Sequence, residues 1–216
     1  MQKDFIIVLA WPEGMTASVN KWYDKFFATN GKYRVGHSAL VFVDAQKKDI
    51  YYYDFGRYHT PLGFGRARNK KTDHDVRVKT KATIKNGEII NIQEILFELK
   101  GKKSLHGDGT LYASILNNIS IIKGMKYANR VVNNGLIPYG PVVSNGTNCS
   151  RFVASVMRAS CPEYLISRRL KFPITLSPSP KRNVGIANSN FYKVTNSSCS
   201  FIKRSWISSY LRSIER

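Results

Sequence analysis

The sequence predicts a single α+β domain in which an antiparallel sheet packs against a helix that carries a cysteine in its first turn. Three observations support it: a short apolar run at Phe5 to Trp11, a β-rich pair of segments within residues 36–56, and a helical pattern that opens at Cys149. The 216 residues can bury one large core, and a 43% hydrophobic share excludes disorder. We place the core at about residues 5–160, followed by an irregular basic extension over 161–216.

The elements of the first half follow from local patterns. Phe5 to Trp11 fits a buried strand, and Ser18 to Phe27 has apolar residues at helical spacing, which predicts a short amphipathic helix. Gly36 to Asp44 and Ile50 to Gly56 are joined by a polar segment and predict an antiparallel hairpin. The glycines and basic residues over 63–71 predict a loop.

Farther along, Val76 to Ile84 alternates apolar with polar residues and predicts a half-buried strand, and Asn86-Gly87 predicts a tight turn. Ile92 to Leu99 places four apolar residues on one helical face. Tyr112 to Ile122 fits a strand and a helix equally. Lys123 to Asn134 predicts a helix that the following glycine ends.

Beyond these elements, Pro138 to Thr147 predicts a loop that leads into a helix over Asn148 to Ser160. From Arg168 onward we expect irregular chain, with a short helix near Trp206 to Ile214.

The charge is strongly positive, with a formal net value of +20. From Gly109 to the C-terminus there are fifteen lysines and arginines, and the only acidic residues are Glu163 and Glu215. Such a field attracts polyanions, so we expect a partner among cell-wall polymers, anionic lipids or nucleic acid.

The sequence also limits compartment and cofactor. No apolar run approaches the ~20 residues of a spanning helix, and the first one follows Asp4 rather than a basic region. Three widely spaced cysteines form no disulfide framework. We therefore expect a cytoplasmic protein, or one exported without a cleaved signal peptide. We expect no cofactor or metal, since the segment Thr72 to Asp75 lacks metal-ligand spacing and fits a solvated loop.

The most informative segment surrounds Cys149. Thr147 or Asn148 suits an N-cap, and Phe152 and Val153 share a helical face with the cysteine. The positive end of a helix lowers the pKa of a thiol and favours the nucleophilic thiolate. The alternative is a buried structural cysteine at the start of a core helix.

A cysteine nucleophile needs a base, and His37 at the head of the predicted hairpin is our candidate. If the hairpin pairs as expected, Asp54 lies diagonally across from His37 on the same face and can orient its imidazole. A slip of one residue would turn Asp54 away. His59 is the alternative third member, and Tyr53 a weaker one.

This order of residues resembles the circularly permuted papain-like superfamily, which includes permuted NlpC-type amidases and lecithin:retinol acyltransferase-like enzymes. The likeness rests on Gly36-His37 at a strand head, a polar residue on the next strand, and the later pattern Asn148-Cys149-x-x-Phe152-Val153. The family often has His, Asn or Gln where this chain has Asp54. The chain is also similar to a Bacteroidetes family without an assigned activity, through DFGRYH at 54–59 and NCSRFV at 148–153.

The resemblance implies a papain-like fold and a cysteine amidase, peptidase or acyltransferase that acts through a thioester. Its catalytic residues would be Cys149, His37 and Asp54, and its substrate a cell-wall peptide or a lipid acyl group. A rival hypothesis is a non-enzymatic basic module that binds nucleic acid or an anionic surface, although no recognised nucleic-acid-binding motif is visible.

Overall fold

The computed structural model describes residues 4–17, 32–34, 36–140, 143–172 and 179–205. The helices predicted at Ser18 to Phe27 and near Trp206 to Ile214 lie outside the described residues.

Twelve strands are present in the described ranges: β1 (Asp4–Trp11), β2 (Met15–Ala17), β3 (Lys32–Arg34), β4 (His37–Val43), β5 (Ile50–Gly56), β6 (Phe64–Arg68), β7 (Ile84–Lys85), β8 (Glu88–Ile89), β9 (Leu111–Ile119), β10 (Ile137–Pro138), β11 (Phe191–Val194) and β12 (Cys199–Ile202). The five α-helices of the same ranges are α1 (Ile92–Gly101), α2 (Ile121–Asn133), α3 (Cys149–Ala159), α4 (Tyr164–Lys171) and α5 (Pro180–Ala187). Short 3-10 turns span His74–Val76 and Lys103–Leu105.

Eight strands form one antiparallel sheet in the order β10-β6-β5-β4-β1-β9-β11-β12. Two small ribbons, β2-β3 and β7-β8, stand outside it. The predicted hairpin is strands β4 and β5, and the predicted tight turn at Asn86-Gly87 joins β7 to β8 with both residues at positive φ. Residues 112–122, which fitted two structures, form most of β9 and the start of α2.

Both faces of the sheet are covered, so its central strands are buried on each side. Alternate residues of β1 point to opposite cores: Phe5, Ile7 and Leu9 pack with α1, whereas Ile6 and Val8 pack with α2 to α5. The predicted apolar faces of α1 and α3 are the ones buried. The predicted α+β class is therefore confirmed, with helix α3 and its N-terminal Cys149 packed on strands β4 and β5.

The loop prediction for residues 63–71 is wrong, because Phe64–Arg68 is strand β6. Gly65 serves packing there: a Cβ would lie 2.8 Å from the rings of Phe55 and Tyr139. The strand predicted at Val76 to Ile84 is also wrong. Its alternate side chains are buried as expected, but its backbone joins no strand until β7.

The prediction of irregular chain from Arg168, and of an irregular extension over 161–216, is corrected for the residues that the structure describes there. This stretch contains α4, α5, β11 and β12. Strand β11 pairs with β9 and so extends the main sheet, while Val184 and Phe191 are buried in the core beneath it. Within the described ranges, no helix is both long and apolar enough to cross a membrane.

Candidate active site

Cys149 is the first residue of α3, at the end of the sheet where β4 begins. The Asn148 side chain caps the helix by accepting a hydrogen bond from the Arg151 N–H at 2.8 Å. The cysteine is buried and shares its helix face with Phe152 and Val153. The thiol therefore lies at the positive end of a helix that the core holds in place.

His37 is fixed at the head of β4 by the backbone before it. Gly36 has φ +62, and a Cβ there would lie 2.6 Å from the Trp11 carbonyl oxygen. The Gly36 N–H donates to the Gly14 carbonyl at 2.9 Å. The His37 ring stacks on Trp11 with centroids 5.8 Å apart. Backbone and ring contacts thus define where the imidazole lies.

The hairpin register brings Asp54 to His37. Ala39 is the direct partner of Asp54, so His37 lies two residues away on the same face of the sheet. The distance from His37 Nε2 to Asp54 Oδ2 is 3.1 Å. The Cys149 thiol is hydrogen-bonded to the His37 side chain, and its sulfur accepts a hydrogen bond from the Ser38 backbone N–H. Because Nε2 faces Asp54, the ring nitrogen left for the thiol is Nδ1.

Asp54 is fully buried at the centre of a network of donors. Arg68 binds it with two hydrogen bonds, from Nε at 3.0 Å and from a terminal nitrogen at 2.7 Å. The hydroxyls of Tyr52 and Tyr58 donate to Oδ2 at 2.9 and 2.8 Å. The Arg68 guanidinium also covers the Tyr58 ring at 3.4 Å from its centroid. These contacts hold the carboxylate in one orientation toward His37.

The electrostatics of the three side chains favour charge separation. Burial by itself would raise the pKa of Asp54, but hydrogen bonds from His37 and Arg68 lower it well below its usual range. Burial would lower the pKa of His37, yet its hydrogen bonds to Asp54 and Cys149 raise that pKa to about 9. Burial would raise the pKa of Cys149, and the hydrogen bond to His37 outweighs it, so this pKa is lowered. The arrangement favours a thiolate–imidazolium pair.

A cleft of about 520 Å³ opens beside the thiol. Its lining residues are Gly14, Gly36, His37, Phe55, Gly56, Arg57, Tyr58, His59, His106, Asp108, Tyr139 and Cys149. The Tyr139 side chain is hydrogen-bonded to Cys149. Burial and the nearby thiol raise the pKa of Tyr139, which keeps its hydroxyl protonated and able to donate. A ligand carbonyl near the sulfur would therefore meet a hydroxyl donor.

The two alternative third members lie elsewhere. The Tyr53 hydroxyl donates to Asn129 at 2.9 Å, and its ring is buried in the core on the other face. His59 is exposed on the cleft wall with φ +50. Of the candidates for the position beside His37, the structure brings Asp54 there.

The sequence analysis did not identify four residues of the site, which are Arg68, Tyr52, Tyr58 and Tyr139. Arg68 lies in the stretch of glycines and basic residues over 63–71 for which the sequence predicts a loop. The signal that points to it is that a buried Asp54 needs a cation. Tyr52 has a simpler signal, since it precedes Asp54 by two residues on one strand and so shares its face.

The segment Thr72 to Asp75, considered for a cation, has other contacts. Asp73 forms a two-bonded ion pair with Arg66, both bonds at 2.7 Å. In the part of the chain that the structure describes, no three His, Cys, Asp or Glu side chains are grouped so as to hold a metal ion.

Comparison with known proteins places the chain in a family. The solved crystal structure of the type VI secretion system effector TseH matches with a TM-score of 0.64 and 16% identity, over 94% of this chain and 99% of that one. No curated protein sequence matches. At this identity the structural likeness establishes the fold, consistent with the predicted papain-like class. The family model for type VI secretion system effector TseH-like proteins matches residues 6–166. The chain therefore belongs to the TseH-like family.

Proposed function

We propose that the chain is a cysteine-dependent hydrolase that cleaves amide or peptide bonds through a thioester. The observation that carries the proposal is that the Cys149 thiol, in the first turn of α3, is hydrogen-bonded to His37. The other ring nitrogen of His37 is hydrogen-bonded to Asp54. This is the arrangement of nucleophile, base and orienting carboxylate that acyl transfer requires.

In the first half of the reaction, the Cys149 thiolate attacks the carbonyl carbon, and the π electrons move to the oxygen. The C–N bond then breaks, and the leaving nitrogen takes the proton from the His37 imidazolium. In the second half, neutral His37 takes a proton from water, and the resulting hydroxide attacks the thioester. The C–S bond breaks, which releases a carboxylic acid and restores the thiolate–imidazolium pair.

Two donors suit the oxyanion of each tetrahedral intermediate. The first is the backbone N–H of Cys149 or Ser150, because these two groups precede the first helical hydrogen bonds of α3 and the Asn148 cap takes only the N–H of Arg151. The Tyr139 hydroxyl is the second, because it is already hydrogen-bonded to Cys149 and stays protonated.

Family membership supports a biological setting for this chemistry. The TseH-like family is described as type VI secretion system effectors. We propose that the chain is such an effector, exported without a cleaved signal peptide, and that its substrate is a cell-wall peptide amide. That His37 precedes Cys149 in the chain supports a place in the permuted papain-like group. A lipid acyl group is the second substrate candidate, and transfer to an amine or hydroxyl is the alternative to hydrolysis.

The test is cleavage of purified peptidoglycan fragments by the full chain, followed by mass spectrometry. Cys149→Ala and His37→Ala should each lower the rate by about 10⁴-fold or more. Cys161→Ala is the matched control, since Cys161 is an exposed thiol outside the cleft. A mass increase on Cys149 that hydroxylamine removes would identify the thioester. If Cys149→Ala still cleaves at the parent rate, the proposal is wrong.

A further inference from the structure

The four helices on one side of the sheet carry a strongly one-sided charge. Together α2, α3, α4 and α5 contain ten lysines and arginines and no aspartate or glutamate. On the opposite side, α1 contains Glu94 and Glu98 with a single lysine. These four helices therefore supply ten positive charges and no negative one, which is half of the formal net charge of +20.

Among these four helices, α4 exposes an unusual stripe. Its outward residues are Tyr164, Leu165, Arg168 and Lys171, and Phe172 follows directly after the helix end. At 3.6 residues per turn, these positions fall within an arc of about 120° around the helix. Leu170 on the opposite side is buried and anchors the helix to the core.

The apolar members of the stripe are exposed to an extent that needs an explanation. Tyr164 is 75% exposed, Leu165 63% and Phe172 62%. Ile122, at the start of α2, is 77% exposed. That helix start lies beside the approach to α4, because the Ser120 N–H donates to the Ser160 carbonyl at 2.8 Å. Large apolar side chains and cations thus lie together on one outer surface.

From this combination we propose that the α4 stripe docks on an anionic lipid bilayer. Exposed apolar side chains can enter the acyl boundary of a bilayer, while lysine and arginine side chains beside them meet the phosphates of anionic lipids. A nucleic acid would match the cations but would leave Leu165 and Ile122 without an apolar partner. The inference goes beyond the proposed hydrolase, because the stripe contains none of the residues that line the cleft.

The experiment is co-sedimentation of the full chain with phosphatidylcholine vesicles, with and without phosphatidylglycerol, at low and physiological salt. We expect binding only to vesicles that contain phosphatidylglycerol, weakened by salt. Arg168→Gln with Lys171→Gln should lower the partition coefficient by about 30-fold, roughly fivefold per cation. Leu165→Ser should lower it by about tenfold.

The matched control is Ile90→Ser with Lys85→Gln, which removes one exposed aliphatic residue and one exposed cation on the other side of the molecule. It should bind vesicles like the parent, and all variants should retain the alkylation rate of Cys149. Equal binding to both vesicle types, or no loss with Leu165→Ser, would overturn the proposal. Binding to duplex DNA without binding to vesicles would also overturn it, and would assign the charge to nucleic acid.

Discussion

Replacement of Asp54 by asparagine tests whether the buried network carries both stability and chemistry. Asp54 is fully buried, and the Arg68 side chain that binds it is only 3% exposed. An asparagine keeps the shape but removes the charge, so Arg68 becomes a buried cation without its counter-ion. Breaking a buried ion pair in this way costs about 3–5 kcal/mol. In a chain of this size, that lowers Tm by about 6–20 °C.

The chain offers a matched control in Asp73→Asn. Asp73 is bound by Arg66 through two hydrogen bonds, as Asp54 is by Arg68, but that pair is 23% and 16% exposed. Solvent therefore replaces much of the lost interaction, and the cost should stay below about 1 kcal/mol. Urea unfolding measures both differences. If the two substitutions cost the same, burial does not set the strength of these pairs and our reasoning is refuted.

A second variant separates stability from catalysis. Adding Arg68→Met to Asp54→Asn removes the unpaired cation and should restore most of the lost stability. It cannot restore the carboxylate beside His37, so hydrolysis should stay reduced, by up to about 10⁴-fold. The pH dependence has a defined sign. The pKa of Asp54 is lowered by folding, so its contribution is present above the unfolded pKa of about 4 and is lost as pH falls. The gap between parent and Asp54→Asn should shrink in acid.

Four other outcomes are expected. At pH 7, iodoacetamide should alkylate Cys149 faster than an ordinary thiol, which is about 3% ionised at that pH. His37→Ala should slow this alkylation, followed by mass spectrometry, by about tenfold or more. An unchanged rate would contradict an activated thiol–imidazole pair. In a pH–rate profile, kcat/KM should fall on the alkaline side near pH 9, because the imidazolium that protonates the leaving nitrogen is then lost. Tyr139→Phe should lower kcat by about 10²-fold with little effect on alkylation, whereas equal losses in both would indicate a disturbed site. Asn148→Ala should lower the free energy of unfolding by about 1 kcal/mol in a urea titration, and a larger loss would mean more than a missing cap.

The parts of the fold that the sequence predicts well are those in which one local pattern decides the structure. The apolar run of β1, the hairpin of β4 and β5, and the apolar faces of α1 and α3 are all found as expected. The diagonal approach of His37 and Asp54 follows from the hairpin register alone. The alternation of side chains along the two strands was therefore enough to predict that His37 and Asp54 approach each other at the centre of the candidate site.

The predictions that were wrong share a physical cause. The pattern of buried side chains does not show which groups form hydrogen bonds with the backbone. Val76, Val78 and Ala82 are buried alternately, as in a strand. However, the N–H groups of Lys79 and Thr80 donate to the Glu98 carboxylate at 2.7 and 2.8 Å instead of to a neighbouring strand. Likewise, β11 has its partner β9 about eighty residues earlier, which no local pattern reports.

Arg68 illustrates the same limit within the site. Basic residues lie close to it in sequence at Arg66, Lys70 and Lys71, and the two lysines are exposed, so local composition favours a solvated side chain. The pairing of β5 with β6 sets Arg68 directly opposite Asp54, and the carboxylate then provides the interaction that allows burial. This residue becomes part of the site through the pairing of β5 with β6, and a loop prediction made from Gly63 and Gly65 misses that strand.

Gly36 has a consequence for how sequences with this fold can diverge. Its backbone is left-handed, and the space beside it is filled by the main chain at Trp11 and Pro12 rather than by a side chain that could be exchanged. No substitution elsewhere can make room by shortening a neighbour. In related sequences we therefore expect glycine at this position wherever the histidine at position 37 is retained. Another residue at position 36 should occur only in sequences that have lost this histidine.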